Sequence, residues 1–319
     1  MKRTLVFAAT VAIAVAGCKK KSSEPAATSG AAPGGSAQPS PPPPPPPPAA
    51  PPTFTAGLAT PESVLYDAAN DRYLVSNING TPFAVDDNGY IAVVAPDGKV
   101  VAGTWIDGAA ADVTLNAPKG MAIVDGVLWV ADITALRKFD LATGKPLGEV
   151  AIPGAEFLND VAATADGGVV VTDTAVDQAF ASTGHDAIYK VAKDGTVSTL
   201  IKDPALGGPN GVVVDADGSA WVVSFSSGEL YKVDPAGAKQ PGEKLPKGQL
   251  DGVIALPGGD LLVSSWEGSA VYRGKPGGPW TSVVDNVKAP ADIGWDSKRG
   301  WVLVPLFTEN QVRTAAIAK

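Results

Sequence analysis

One phrase recurs six times along the chain, and it limits the possible folds more than any other feature. Its clearest copy is Gly208-Pro209-Asn210-Gly211-Val212-Val213-Val214-Asp215-Ala216-Asp217-Gly218-Ser219-Ala220-Trp221-Val222-Val223-Ser224. A polar and a small residue lead into an apolar run, an acidic turn ending in glycine follows, and a second apolar run closes the phrase. Turn residues between two β-branched runs specify an antiparallel hairpin. Aligned on the step into the first run, the copies stand at Pro61-Glu62-Ser63-Val64, Pro118-Lys119-Gly120-Met121, Leu158-Asn159-Asp160-Val161, Pro209-Asn210-Gly211-Val212, Leu250-Asp251-Gly252-Val253 and Pro290-Ala291-Asp292-Ile293. The intervals are 57, 40, 51, 41 and 40 residues. Periods near 40 with room for four short strands mark propeller blades. The two long intervals hold insertions, around 77–90 and 174–186. The expected fold is therefore all-β, a six-bladed β-propeller of four-stranded blades.

The blades are expected at 61–106, 116–152, 156–202, 206–247 and 249–285, with a sixth from about 289 that supplies only three strands before the chain ends. Thr53–Leu58 is expected to add the missing fourth strand, so that an N-terminal strand closes the last blade. Strands alternate in direction within a blade, so the blade entrance and the loop between strands two and three share a face. Asp125, Asp166, Asp215 and Asp217 fall in turns on the opposite face and read as turn formers. Trp129, Trp221 and Trp301 fall in second strands and read as core packing.

The entrance residues are expected to meet at the central axis: Glu62, Lys119, Asn159, Asn210, Asp251 and Ala291. Two carboxylates and two amide oxygens make an all-oxygen set suited to one hard divalent cation, Ca²⁺ first, with Mg²⁺ and Mn²⁺ as alternatives. The other reading is a polar plug of water and hydrogen bonds in the channel mouth. On the same face, Asn79, Asp132, Asp173, Trp266, Glu267 and Phe307 are candidates to line a substrate cleft, and the blade 1 insertion is either a lid or a surface loop. His185, the single histidine, lies in the blade 3 insertion among small polar residues and reads as a solvated loop residue. With one histidine and no Gly-x-Ser-x-Gly, a Ser-His-Asp nucleophile has little support. No glycine loop for a nucleotide is present either.

These phrases resemble the senescence marker protein-30/gluconolactonase family, six-bladed propellers related in plan to paraoxonases. The resemblance covers about 53–319 and rests on Glu62, Asn159, Asn210 and Asp251, which match that family's metal ligands in type and order. It implies a lactone or ester hydrolase with one bound divalent cation, in which Asp251 is also the candidate base that takes a proton from water. Two residues depart from the pattern. Phe157 stands where the family often places a substrate-holding arginine, and Lys119 aims a cation at the axis. Lys119 either binds substrate oxygen as a catalytic and substrate-binding residue, pairs with Glu62 or Asp251, or stands in for the metal. Phe157 joins the substrate-binding candidates.

The first fifty residues are of another kind. Lys2-Arg3, a short apolar run over Leu5–Ala16 and Val15-Ala16-Gly17-Cys18 describe a secretory signal over 1–17 ending in a lipobox-like cysteine. Cys18 is the only cysteine and the expected site of lipidation. Residues 18–52 are rich in Ala, Gly and Pro, with eight consecutive prolines at 41–48; with nothing to bury, they are expected to form an extended tether. Such a protein is expected at the bacterial cell envelope, held to a membrane by lipid, on the outer rather than the inner membrane because Lys19 is not the retention aspartate. Net charge is −8 and no basic patch is evident, which argues against nucleic acid. Two functions follow: a lipid-anchored, metal-dependent hydrolase of small-molecule lactones or esters, or a non-catalytic NHL-like propeller that binds a protein or glycan partner.

Overall fold

The computed structural model describes residues 50–317; the expected signal peptide, Cys18 and nearly all of the tether lie outside the described residues. The short strand β1 (Thr53–Phe54) comes first. Blade 1 is β2 (Pro61–Asp67), β3 (Arg72–Asn77), β4 (Tyr90–Val94) and β5 (Val100–Asp107). Blade 2 is β6 (Pro118–Val124), β7 (Val127–Asp132), β8 (Ala135–Asp140) and β9 (Pro146–Ala151). Blade 3 is β10 (Leu158–Ala163), β11 (Val169–Asp173), β12 (Ala187–Val191) and β13 (Val197–Lys202). Blade 4 is β14 (Pro209–Val214), β15 (Ala220–Ser224), β16 (Glu229–Val233) and β17 (Glu243–Lys244). Blade 5 is β18 (Leu250–Ala255), β19 (Leu261–Ser265), β20 (Ala270–Gly274) and β21 (Trp280–Asp285). Blade 6 is β22 (Gly294–Asp296), β23 (Trp301–Leu306) and β24 (Gln311–Ala316), with β1 outermost against β24.

Sequence pattern explains this layering. Second strands carry apolar residues on both faces because a blade lies on each side; all five residues of β11 are buried. Outermost strands have a neighbour on one edge only and are largely exposed, as in β9 and β13. The hairpin turns form as their residues require. Asp125 and Gly126 both take positive φ, 49° and 79°, the combination a two-residue turn needs. Gly218 at φ 84° closes the Asp215 turn.

The core is divided into six apolar clusters, one at each junction between blades. Leu74 and Ile91 meet Leu128 and Phe139 between blades 1 and 2. Trp129 and Leu136 meet Val161 and Tyr189 between blades 2 and 3. Equivalent wedges fill the next three junctions. The sixth joins the two ends of the chain: Phe54, Leu58, Val64 and Tyr73 pack with Leu303 and Val312.

The closing strand behaves as expected but is shorter than 53–58. Thr53 pairs with Arg313 and Phe54 with Val312; the chain then turns at Ala56-Gly57, with Gly57 at φ 70°, and tucks Leu58 into the same wedge. On the other face Arg299 forks Asp71 at 2.8 and 2.9 Å and also reaches Asp296 at 2.8 Å, tying blade 6 to blade 1. The Arg299 and Lys298 cations hold the Asp71 carboxyl well below the usual carboxylate range.

Phe54 is 3% exposed within the wedge that seals the ring. Phe54→Ala is expected to cost about 3–4 kcal/mol. In a domain of this size that lowers Tm by on the order of 10 °C. Scanning calorimetry of the variant measures it; a shift of only a degree or two would place closure elsewhere.

Candidate functional site

Glu62, Lys119, Asn159, Asn210 and Asp251 are each the second residue of their blade's first strand. A bulge at this point turns them inward. In blade 3, Leu158 pairs with Asp173 and Val161 with Val171, so Asn159 and Asp160 together face the single residue Thr172. The same two-against-one step recurs in blades 2, 4 and 5, and a shorter step in blade 1 leaves Glu62 as the extra residue. A bulge bends the strand and re-aims its side chains. Hydroxyls stabilise three of these bulges: the N–H groups of Ser63, Asp160 and Gly252 donate to Ser76, Thr172 and Ser264. Thr172 and Ser264 donate in turn to the Asn210 and Ala291 carbonyls of the next blade.

All five residues line one cavity of about 350 Å³, and all five are buried. Ala291, the sixth equivalent, is buried as well and contributes no functional group. Oε2 of Glu62 and Oδ1 of Asn159, Asn210 and Asp251 are buried with no hydrogen-bond partner. Buried polar oxygens are usually hydrogen-bonded, so a set of four at one cavity is suited to a polar partner, a water or an ion. Their neighbours are arranged to leave them so: the amide nitrogen of Asn159 donates to Thr174 at 2.9 Å, which presents its oxygen to the cavity. A four-oxygen set of two carboxylates and two amides fits a hard cation. Among the described residues, no group of three or more His, Cys, Asp or Glu is placed to hold a metal; here half of the donors are amides.

The electrostatics point the same way. Burial raises the Glu62 carboxyl well above its ordinary pKa, and the charges of Asp251 and Asp292 add to the rise. Burial raises Asp251 too, reinforced by Asp292; the Trp266 indole N–H leans toward Asp251 and opposes the shift, but falls short of a hydrogen bond. A second ring lies one residue further along each copy of the entrance phrase. There Asp160, raised by burial, accepts from Val212 and Val161, and Asp292, pushed up to about 7 by burial, accepts from Ser63 at 2.5 Å. Asp160, Asp292 and Ser63 line a second cavity of about 460 Å³ that continues the axis on the far side. Gly120, Gly211 and Gly252 fill the same ring in blades 2, 4 and 5, where a Cβ would fall well inside van der Waals contact of Asp160, the Asp251 carbonyl and Asp292 respectively.

Four buried carboxylates thus lie along the axis, and beside them stands one ammonium, that of Lys119. Burial pushes its pKa down to about 8, against the pull of Glu62 and Asp132. Lys119 Nζ donates to the carbonyls of Ala117 at 3.1 Å and Pro82 at 3.4 Å, and lies 4.3 Å above the Phe157 ring. Among the described residues it forms no ion pair with Glu62 or Asp251, so the pairing considered from sequence is not made. The ammonium rests against the wall, not among the four orphaned oxygens.

The remaining sequence candidates divide. Phe157, Trp266 and Phe307 line the cavity. Asp132, Asp173 and Asn79 do not, because each is engaged in holding backbone. Asp132 accepts from the Asn116 and Ala117 N–H groups and from Arg137; Asp173 accepts from Glu156, Phe157 and Ala175. Asn79, at φ 56°, donates to Asn88 within its own loop. Glu267 caps the Gly248 N–H on the surface. His185 is 56% exposed and sits 2.6 Å from Glu156, outside the cavity. The loops 77–90, 173–186 and 224–227, expected from sequence on this face, supply Ile78, Phe180 and Phe225 to the lining, though the sequence does not single these residues out, nor Asp160 and Asp292 beneath it. The available signal was positional: Ile78, Phe225, Trp266 and Phe307 all directly follow a second strand.

No protein-family profile and no curated protein matches the chain. Solved structures do. Virginiamycin B lyase from Staphylococcus aureus aligns at 15% identity with a TM-score of 0.60, covering 83% of this chain and 98% of that one. A gluconolactonase from Xanthomonas campestris aligns at 17% and 0.60, covering 82% and 89%. The calcium-binding protein regucalcin from Agrobacterium tumefaciens aligns at 20% and 0.57, covering 79% and 84%. At these identities the likeness is one of fold.

Because its folded-state pKa lies above the unfolded one, Asp251 withdraws stability from the metal-free protein as pH rises out of the ordinary carboxylate range. A neutral amide of the same shape does not. Asp251→Asn is therefore expected to raise the Tm of chelator-treated protein at pH 7.5, measured by calorimetry; a fall would mean the carboxylate is already compensated.

Proposed function

We propose that this chain is a hydrolase of lactones or related esters that depends on a divalent metal, held at the bacterial cell envelope by lipid on Cys18. One observation supports the reading: four buried oxygens that lack a partner among the described residues, on Glu62, Asn159, Asn210 and Asp251, belong to residues that line a single cavity. These four would hold the cation, with Ca²⁺ favoured by the all-oxygen set. When bound, the cation supplies a Lewis acid for the substrate's carbonyl oxygen and offsets the carboxylates.

The chain's own residues do the rest. Asp251, on the cavity floor, takes a proton from water as the water oxygen bonds to the acyl carbon. The acyl–oxygen bond then breaks, and the same proton passes to the departing alkoxide, leaving a hydroxy acid from a lactone. Lys119, fixed by two carbonyls beside the cavity, offsets negative charge that grows on the substrate. The aromatic wall excludes water, which strengthens each of these interactions.

Similarity to gluconolactonases supports hydrolysis at the level of fold. The similar lyase is a weaker guide: an alanine variant of one of its histidines is catalytically inactive, while His185 of this chain lies outside the cavity.

Calcium at about 100 times its dissociation constant is expected to stabilise the protein by about 2.7 kcal/mol, seen as a rise in Tm. Lactone turnover is expected to vanish with chelator and with Asp251→Ala; turnover that survives both excludes the mechanism. For the anchor, Cys18→Ser is expected to abolish palmitate labelling and move the protein from the membrane to the soluble fraction, and an unchanged membrane fraction rules out the lipid.

A further inference from the structure

We infer that the non-reacting body of the substrate is a flat apolar ring, so that the site takes aromatic lactones and esters in preference to polyhydroxylated sugar lactones; this rests on the hydrolase reading above. The observation behind it is a collar directly above the polar floor. In each blade, the residue immediately after the second strand projects from the same place in the repeat. Four of the six, Ile78, Phe225, Trp266 and Phe307, are large apolar side chains that line the cavity. Phe225 packs edge-on to Trp266 at 5.4 Å, and Trp266 meets Phe307 at 5.3 Å, making a continuous aromatic wall over blades 4 to 6.

A second aromatic wall faces the first. Phe157 and Phe180 line the cavity from blade 3, and Phe83 of the blade 1 insertion joins them, 4.7 Å from Phe157 and 5.2 Å from Phe180. Phe180 is 58% exposed, an uncommon state for an aromatic side chain in an ordered cluster and one that an apolar ligand would relieve. Phe157 presents a ring and no hydrogen-bond donor to this space.

Sugar hydroxyls need partners, and these walls offer few. The Thr174 hydroxyl, in the collar, already donates to the Pro209 carbonyl and accepts from Asn159. The Trp266 N–H is the one polar group on the aromatic wall of blades 4 to 6, and it leans toward Asp251 on the floor. Only Ser226, Gln249 and Thr308 add polar side chains to the lining above the floor. A buried hydroxyl without a partner is destabilising, whereas a ring between two aromatic walls gains stacking and edge contacts. At about 350 Å³ the cavity is at the small end of ligand sites. Polarity is therefore concentrated at the floor, where an ester group belongs, and sparse in the space above it.

The test uses the full chain loaded with Ca²⁺ and two pairs of probes. Binding is read by calorimetry with two lactams that resist hydrolysis, 3,4-dihydroquinolin-2-one and glucono-1,5-lactam. Turnover is read with the matching lactones, dihydrocoumarin and glucono-1,5-lactone, corrected for spontaneous hydrolysis. The aromatic member of each pair is expected to win, by at least tenfold in Kd and in kcat/KM. Phe225→Asn is expected to erase most of that preference through KM, while Phe225→Leu keeps it; both variants are checked for an unchanged melting profile. Tight binding of the aromatic lactam without turnover of either lactone upholds the apolar site and removes the hydrolase reading. Faster turnover of the sugar lactone keeps the hydrolase and overturns the apolar substrate. Failure of the aromatic lactam to bind overturns it as well.

Discussion

No blade of this protein has a core of its own. Each apolar cluster lies between two blades, so a four-stranded sheet standing alone would leave both faces wet. The ring gains its last junction only when the N-terminal strand pairs with the C-terminal one and Phe54 enters the wedge beside Tyr73 and Val312. That contact links residues more than 250 positions apart, and the Asp71–Arg299 ion pair repeats the link on the opposite face. Stability is thereby made a property of the closed circle. The hub inherits its rigidity from the closure, since the innermost strands are held on both sides.

A rigid hub can keep groups together that repel one another. Glu62 and Asp251 are buried in one cavity, with Asp160 and Asp292 one residue further along the entrance phrase. Left to themselves, such carboxylates would hold protons or move apart, and the raised pKa values express that tension. The bulges prevent them from moving apart, and the hydroxyls of Ser76, Thr172 and Ser264 keep the bulges from relaxing. A ligand of opposite charge is the direct remedy. The aromatic walls above make the remedy stronger by keeping water out, because Coulomb attraction grows as the surroundings become less polar.

Much of this was readable in the sequence because a repeat repeats its geometry. The six copies of the entrance phrase locate the blades, the closing strand and all five polar floor residues. Where sequence reasoning failed, the cause was local. Asp132 and Asp173 were placed on the correct face, but whether a carboxylate there turns to the cavity or to nearby backbone N–H groups depends on which donors lack partners. Asp160 is hard to read because strict alternation along a strand would point it away from the axis, and a bulge breaks alternation without a residue type of its own. Phe225 reads like any core aromatic until its place after the second strand is set beside Trp266 and Phe307. The closing strand is shorter than the 53–58 stretch suggests because Ala56-Gly57 forms a turn.

Gly120, Gly211 and Gly252 fix the gauge of the spindle at the centre of the wheel. Any larger residue at those places would wedge the inner strands apart and loosen every joint around the circumference. The residue just before each of them, Lys119, Asn210 and Asp251, lines the buried cavity instead of meeting the neighbouring strand. Neighbouring positions are consequently under different constraints, one set by the packing of the inner strands and the other by the chemistry of the cavity. A scaffold arranged in this way can exchange the chemistry at its hub one letter at a time without ever coming off its axle.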